Sequence, residues 1–136
     1  MYFEKSDFPA EQRNPATLAY VGDAVFELLV RERLLQGHPE STGPLHKRAA
    51  KLCSAVGQAA AAEAMLPLLT EGELRQFKRG RNAALAVAKR KNPTVHCAAS
   101  GLETLFGLLY LEGRKARLLE LFEVAWQLLG EEGTAG

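Results

Sequence analysis

Two carboxylates in this sequence interrupt segments that are otherwise mainly apolar. Asp23 lies in the run 18–30, which reads as a buried helix, and Glu103 is the only charged residue between Lys91 and Glu112. Burying an unpaired charge costs several kcal/mol, so each side chain needs a positive partner or a metal ion. The pair therefore predicts either a cation site or structural contacts with an arginine or a backbone group.

Small residues beside these carboxylates suggest how the two side chains meet. Gly22 directly precedes Asp23, and Gly107 follows Glu103 by one helical turn. If two helices cross near these glycines, both carboxylates face one pocket. Carboxylate oxygens completed by water and phosphate are ligands that Mg2+ prefers, so the pattern predicts a magnesium site. Glu27, one turn after Asp23, is either an auxiliary carboxylate of that site or a surface residue.

Basic residues are concentrated in one segment, although the net charge of the chain is only +1. No acidic residue lies between Glu73 and Glu103, and seven basic residues do. Such a local positive field suits a polyanion, while a solvated basic loop is the plainer interpretation. Candidate phosphate contacts, which would hold a nucleic-acid backbone without reading its sequence, are Lys78, Arg79, Arg81 and Asn82, with a second strip at Lys47, Arg48 and Lys51.

Length and composition narrow the class of protein. The 136 residues, of which 47% are hydrophobic and 24% charged, predict a single domain over 1–136. No apolar run reaches the ~18 residues of a membrane span, and the first residues lack the features of a signal peptide. Cys53 and Cys97 have no metal-type spacing, so free thiols and a cytoplasmic location are expected.

Helical periodicity without any strand pattern predicts an all-α fold. Asn14 and Pro15 begin a helix that runs to about Gln36. Later helices are expected over 45–65, from about 95 to 113, and over 114–129. Between the first two of these, a capping box at Thr70 and Glu73 predicts a short helix that ends near Gly80. In the second helix, the predicted core stripe is Leu45, Ala49, Leu52, Val56 and Ala60, and the other face carries Lys47, Lys51, Ser54 and Gln58. Residues 84–88 are expected to form a further short helix, 38–44 and 89–93 loops, and the tail from 130 a loose end.

Four short motifs resemble a known family. Residues 20–25 (YVGDAV) resemble the signature helix of the ribonuclease III catalytic domain, and 102–111 (LETLFGLLYL) resemble its second acidic helix. Residues 44–49 (PLHKRA) and 78–83 (KRGRNA) narrow the resemblance to the Mini-ribonuclease III branch, which lacks a separate domain for binding double-stranded RNA. The resemblance covers about 14–129, which is the predicted core of the domain.

The resemblance implies an all-α homodimer that cleaves double-stranded RNA endonucleolytically, leaving 5′-phosphate and 3′-hydroxyl ends. It implies Mg2+ as the cofactor, with Mn2+ as a substitute, and matches Asp23 to the catalytic aspartate and Glu103 to the metal-binding glutamate. For this branch the implied substrate is the precursor of 23S ribosomal RNA, in ribosome biogenesis, with a large-subunit ribosomal protein as a candidate partner.

Two departures from the family pattern keep other functions open. Full-length ribonuclease III has carboxylates where this chain has Ala19 and Ser100. Fewer carboxylates imply that the metal ion is bound more weakly and keeps more of its water ligands. The alternatives are a non-catalytic RNA-binding or ribosome-assembly module on the same fold, and an all-α metal-dependent hydrolase of nucleotides.

Overall fold

In the computed structural model, which describes residues 8–36, 41–87 and 93–135, all regular structure is helical. A 3-10 turn (Ala10–Gln12) precedes α1, and a second (Leu66–Leu68) follows α3. The six α-helices of these ranges are α1 (Pro15–Leu35), α2 (Thr42–Leu52), α3 (Ala55–Met65), α4 (Glu71–Val87), α5 (Pro93–Leu111) and α6 (Lys115–Ala135). The predicted all-α class is confirmed.

The core is built around α5, whose sequence is apolar on nearly every side. Helices α1, α3, α4 and α6 all pack against it. Phe26 of α1 lies at its centre, with ring centroids 5.8 Å from Phe106 of α5 and 5.9 Å from Phe122 of α6. Removing such a buried aromatic ring typically costs about 3–5 kcal/mol, so this cluster fixes how α1, α5 and α6 pack together.

Helices α1 and α5 cross at two glycines, which meets the condition under which the sequence places both carboxylates at one pocket. A Cβ added to Gly22 would overlap the carbonyl oxygen of Glu103 and lie 2.6 Å from its carbonyl carbon. A Cβ added to Gly107 would overlap the carbonyl oxygen of Leu18 in the same way. Because neither position has room for a side chain, the two backbones touch, and Asp23 is brought next to Glu103.

The helix predicted over 45–65 is in fact two helices. The chain breaks at Cys53 and Ser54, where the Ser54 hydroxyl donates to the carbonyl of Lys51 (2.7 Å) and accepts from the amide of Gly57 (3.2 Å). Ser54 is thus the N-cap of α3. The break resets the helical phase, so that Val56, predicted in the core, is 71% exposed, whereas Gln58, predicted on the outer face, is 3% exposed.

Helix α4 continues through Gly80 to Val87, so the predicted stop at Gly80 and the separate short helix after it are wrong. Gly80 serves a close approach instead, because a Cβ there would overlap the side chain of Thr104 on α5. The predicted capping box at the start of α4 is confirmed: Glu73 Oε1 accepts from the amide of Thr70 (2.9 Å), and Thr70 Oγ1 accepts from the amide of Glu73 (3.2 Å).

The same Glu73 also joins α4 to α6. It is 2% exposed, and its carboxylate accepts from Arg117 Nε (2.9 Å) and a terminal nitrogen (2.8 Å). Arg114 adds a second positive charge at 3.5 Å. The hydrogen bonds from Arg117 lower the pKa of Glu73, so this carboxylate is charged and structural.

The outer helices differ in length from the prediction. Helix α5 begins at Pro93, and the α6 backbone is helical to Ala135, so the predicted loose tail is wrong. The predicted loop over 38–44 is helical from Thr42, where α2 begins, so the expected start of that helix at 45 is also wrong. Residues 38–40 and 89–92 of the predicted loops lie outside the described residues. Both cysteines are free thiols, as predicted. In the described part of the chain, no helix is both long enough and apolar enough to cross a membrane.

Candidate active site

A cleft of about 500 Å³ opens where four elements converge on the α1–α5 crossing. Its walls are the middle of α1, the α2–α3 junction, the last turns of α4 and the N-terminal half of α5. The residues that line it are Asp23, Cys53, Ala55, Gln58, Ala84, Val87, Pro93, His96, Cys97, Ala99, Ser100 and Glu103. The cleft therefore contains both carboxylates that the sequence singled out.

The two carboxylates have different surroundings. Glu103 is half-buried, whereas Asp23 is exposed at the edge of the cleft, so the predicted burial of Asp23 is wrong. The reason lies in the phase of α1: Gly22 and Phe26 face α5 and the core, which turns Asp23 outward. The free-energy cost of burying a carboxylate therefore applies to Glu103 and not to Asp23.

Burial, and then the hydrogen bond and negative charge of Asp23, raise the pKa of Glu103 to about 8. The raised pKa means that the Glu103 carboxyl gives up its proton less readily than an ordinary glutamate. A pair of carboxylates at such short range is relieved by a cation that neutralises both. The two carboxylates form a candidate cation site and not a structural ion pair with a basic residue, because no basic group contributes to the shifted pKa of Glu103.

The donor set suits a hydrated hard cation. Within the described residues, no group of three or more histidine, cysteine, aspartate or glutamate side chains is placed to hold a metal. Two carboxylates remain, and Mg2+ typically binds proteins through one or two carboxylates while keeping several waters. Asp23 and Glu103 therefore fit Mg2+ as ligands, with the rest of the coordination shell left to water and phosphate.

Gln58 lines the cleft, so its predicted position on the outer face of the helix is wrong. Its side chain is buried beside Glu103, and its amide lowers the pKa of that carboxyl, against the effect of burial. The contact is not a complete hydrogen bond, however, because no acceptor meets both the distance and the angle of one at Gln58 Nε2. The signal available in the sequence was Ser54, a good N-cap residue that starts a new helix and so resets its phase.

Glu27, one turn beyond Asp23, is used on the surface of α1. Its carboxylate accepts a hydrogen bond from Arg31 (2.8 Å), and its side chain is 42% exposed. It does not line the cleft. The contact with Arg31 favours the second of the two sequence interpretations, a surface residue.

The predicted phosphate contacts have different surroundings. Lys78, Asn82 and Lys47 are exposed, and Arg81 lies beside the Asn82 side chain, with Nε 3.4 Å from its Oδ1. Arg48 is half-buried on α2. Ala84 and Val87 on the following turns of α4 line the cleft, so the exposed residues of α4 lie near its edge.

Arg79 is the exception among the candidate phosphate contacts. Its guanidinium donates to the carbonyls of Glu11 and Arg13 and to Gln76 Oε1 (3.0 Å). These bonds fasten the N-terminal 3-10 turn (Ala10–Gln12) to α4. The guanidinium of Arg79 is thus engaged within the chain and holds the start of the fold.

The sequence did not indicate that Cys53, Cys97 and His96 would line the cleft. Burial, and then the charges of Glu27 and Asp23, raise the pKa of Cys53 to about 12. Its thiol is therefore protonated at neutral pH and is a poor nucleophile, since the thiolate is the reactive form. The two carboxylates remain the candidates for the chemistry of the cleft.

Comparison with known proteins places this chain in one family. Residues 16–114 match the Ribonuclease III domain. Mini-ribonuclease 3 of a Synechocystis species is 47% identical over 116 residues, covering 85% of this chain and 79% of that protein. Mini-ribonuclease 3 of Symbiobacterium thermophilum is 42% identical over 112 residues (82% and 86% covered), and that of Enterococcus faecalis 40% over 124 residues (89% and 94%).

A solved structure agrees with this comparison at the level of the fold. The crystal structure of a protein from Fusobacterium nucleatum matches with a TM-score of 0.74 and 22% identity, over 85% of this chain and 93% of that one. Together with the sequence matches, this means that the chain belongs to the ribonuclease III family of endoribonucleases, in its Mini-ribonuclease 3 group.

Proposed function

We propose that this endoribonuclease hydrolyses double-stranded RNA in a Mg2+-dependent reaction, with Asp23 and Glu103 as the metal ligands. The observation that carries the proposal is the glycine crossing of α1 and α5, which places the two carboxylates at one cleft. Bound there, Mg2+, or Mn2+ in its place, would supply a Lewis acid that lowers the pKa of water and neutralises charge on the scissile phosphate.

The chain itself contributes position and proton balance. Glu103 is half-buried and fixed by the backbone contact at Gly22, so its carboxylate is held at the floor of the cleft. Asp23, exposed at the rim, is accessible to a phosphodiester that approaches from solvent. Because the pKa of Glu103 is raised to about 8, Glu103 must lose its proton before its carboxylate binds a cation.

The basic residues near the cleft are proposed to hold the RNA backbone. Lys78, Arg81 and Asn82 form a polar strip on α4, and Lys47 and Arg48 of α2 form a second strip. Contacts of this kind position a duplex by its phosphates and shape, which is how double-stranded RNA is usually recognised. We assign Arg79 a positioning role instead, because its guanidinium already binds the Glu11 and Arg13 carbonyls.

The protein is further proposed to act as a homodimer, in which each of two clefts cuts one strand. Three large exposed apolar side chains of the described residues flank the cleft: Tyr20 (82% exposed), Val56 (71%) and Val87 (75%). Sedimentation velocity is expected to give a dimer, and Tyr20→Glu to weaken it. Leu68→Glu, an exposed residue beyond the opposite end of α3, is the control.

The biological substrate proposed is the precursor of 23S ribosomal RNA, in ribosome biogenesis, with a large-subunit ribosomal protein as a candidate partner. This part of the proposal rests on the resemblance to Mini-ribonuclease III. Cleavage of precursor ribosomal RNA, alone and bound to ribosomal proteins, tests it against unrelated duplexes. Equal rates on all substrates would remove the assignment to ribosomal RNA.

The central experiment compares Asp23→Asn with the wild type on duplex RNA, single-stranded RNA and free nucleotides, with Mg2+ or EDTA. The wild type is expected to cut duplex RNA, but neither single-stranded RNA nor free nucleotides, and to do so only with Mg2+. Asp23→Asn is expected to lose about 100-fold or more in rate, because it removes a direct ligand. Glu32→Gln, an exposed carboxylate later on α1, is the matched control. Unimpaired cleavage by Asp23→Asn would refute the role of Asp23.

A further inference from the structure

Buried polar side chains are few in the described part of the chain, and one of them is unusual. Those side chains are Gln58, Glu73 and Thr104. Glu73 is paired with Arg117, and Thr104 donates to the carbonyl of Ser100 (2.8 Å). Gln58, only 3% exposed, has an amide nitrogen without a hydrogen-bond partner, although it lines the cleft beside Glu103.

A buried amide without a partner forfeits the hydrogen bonds that water would give it in the unfolded chain. Native proteins leave few such groups, and each one calls for an explanation. In this cleft, the neighbouring Glu103 carboxylate suggests an explanation for the Gln58 amide. The cleft holds the Glu103 carboxylate, and a deprotonated carboxylate only accepts hydrogen bonds, whereas a side-chain amide nitrogen only donates them.

We propose that Gln58 is a positioning residue for Glu103: when the cleft binds a divalent cation, the Gln58 amide donates to one carboxylate oxygen and leaves the other for the ion. The inference rests on the proposed metal site. Such outer partners fix the orientation of a ligand and are conspicuous in metal sites, where their loss typically lowers metal affinity about 10–100-fold.

The break between α2 and α3 is what makes this role available. Ser54 starts α3 in a new phase, and Gln58 occupies the second turn of that helix, on the side that faces α5. With an unbroken helix, Gln58 would share the outer face with Lys47 and Lys51. The capped junction therefore places an amide donor in a cleft whose described lining includes the two carboxylates Asp23 and Glu103.

The test measures metal binding without RNA, using Mn2+ alone as the probe. Isothermal titration calorimetry is run on the wild type, Gln58→Leu and Gln58→Met, since both substitutions keep an elongated side chain and remove the donor. Gln127→Leu is the matched control, because Gln127 also donates to a glutamate, Glu123, at 2.8 Å, but on the outer surface of α6. Circular dichroism and thermal melting accompany each titration.

We expect the Mn2+ dissociation constant to rise about 10-fold or more in both Gln58 variants and to stay within about twofold in Gln127→Leu. Melting in EDTA is expected to be unchanged or improved, because the unpaired amide is gone. The Mg2+ concentration needed for half-maximal cleavage should rise in parallel, with RNA affinity in EDTA unchanged.

Two results would overturn the inference. Unchanged Mn2+ affinity in a folded Gln58 variant would mean that the amide does not position Glu103. Loss of stability in both variants without loss of affinity in the folded fraction would assign Gln58 a purely structural role. If the wild type itself bound no Mn2+, the proposed metal site would fail first, and the role of Gln58 would fail with it.

Discussion

Gly22 on α1 lies directly against the peptide carbonyl of Glu103 on α5, with no space for a Cβ between the two backbones. This contact sets both the packing of the two central helices and the separation of the two carboxylates. A change in the fold at this point is therefore also a change in the candidate active site.

Gly22→Ala tests that contact. The added methyl must push α1 away from α5, because the atoms that it meets are backbone. We expect the free energy of unfolding to fall by about 3 kcal/mol, at the upper end of the usual cost of overpacking, and cleavage to be lost. Gly72→Ala, where a Cβ meets nothing within 4 Å, is the control. Urea denaturation measures the free energy of unfolding of both variants, and equal values for the two would contradict the contact.

The raised pKa of Glu103 predicts a pH dependence of the metal-free protein. Since the folded pKa of about 8 lies above the ordinary value of 4.5, the folded state binds more protons than the unfolded state between these values. Stability contributed by this group therefore falls as pH rises from about 5 to 8. Melting temperatures in EDTA would show this slope, and Glu103→Gln should remove it.

The same group predicts a competition between protons and the metal. Because Glu103 must lose its proton to bind a cation, cleavage at low Mg2+ is expected to rise with pH up to about 8. Raising Mg2+ should shift that rise to lower pH. A pH profile that does not move with Mg2+ concentration would mean that Glu103 is not a ligand.

The buried ion pair between Glu73 and Arg117 should contribute to stability and leave the chemistry untouched. Glu73→Gln removes the buried charged partner of Arg117 and leaves its guanidinium only the exposed Glu120, so we expect the free energy of unfolding to fall by about 3 kcal/mol, as for other broken buried pairs. Glu71→Gln, exposed in the same first turn, is the control. Denaturant unfolding measures both variants, and similar values for the two would contradict the structural role of the pair.

Salt dependence should separate the phosphate contacts from Arg79. Lys78→Ala and Arg81→Ala are each expected to weaken duplex RNA binding and to reduce the slope of log affinity against log salt by about 1. Arg79→Ala should leave that slope unchanged but loosen the 3-10 turn Ala10–Gln12, which its guanidinium holds. Fluorescence anisotropy across a salt series measures the slope, and limited proteolysis measures the loosening. A lower slope for Arg79→Ala would return it to the RNA-binding set.

Local sequence signals predicted a large part of this fold. Asn14 caps α1 by accepting from the amide of Ala16 (2.8 Å), and Thr70 and Glu73 form the predicted capping box. Each signal acts over three or four residues, so it can be recognised without the rest of the molecule. The glycines near Asp23 and Glu103 indicated a place where two helices can approach closely, and the structure shows that α1 and α5 cross there.

The sequence by itself determined the all-α class, the starts of several helices and the choice of Asp23 and Glu103 as candidate carboxylates. The structure decided that α1 and α5 cross beside them and bring them to one cleft. Only the tertiary structure decided which of the two carboxylates is buried, that Gly80 serves packing, and that Arg79 binds backbone carbonyls. It also brought Gln58 into the cleft. These properties depend on contacts between distant segments and on the phase of a helix after a break, and neither is encoded in the spacing of neighbouring residues.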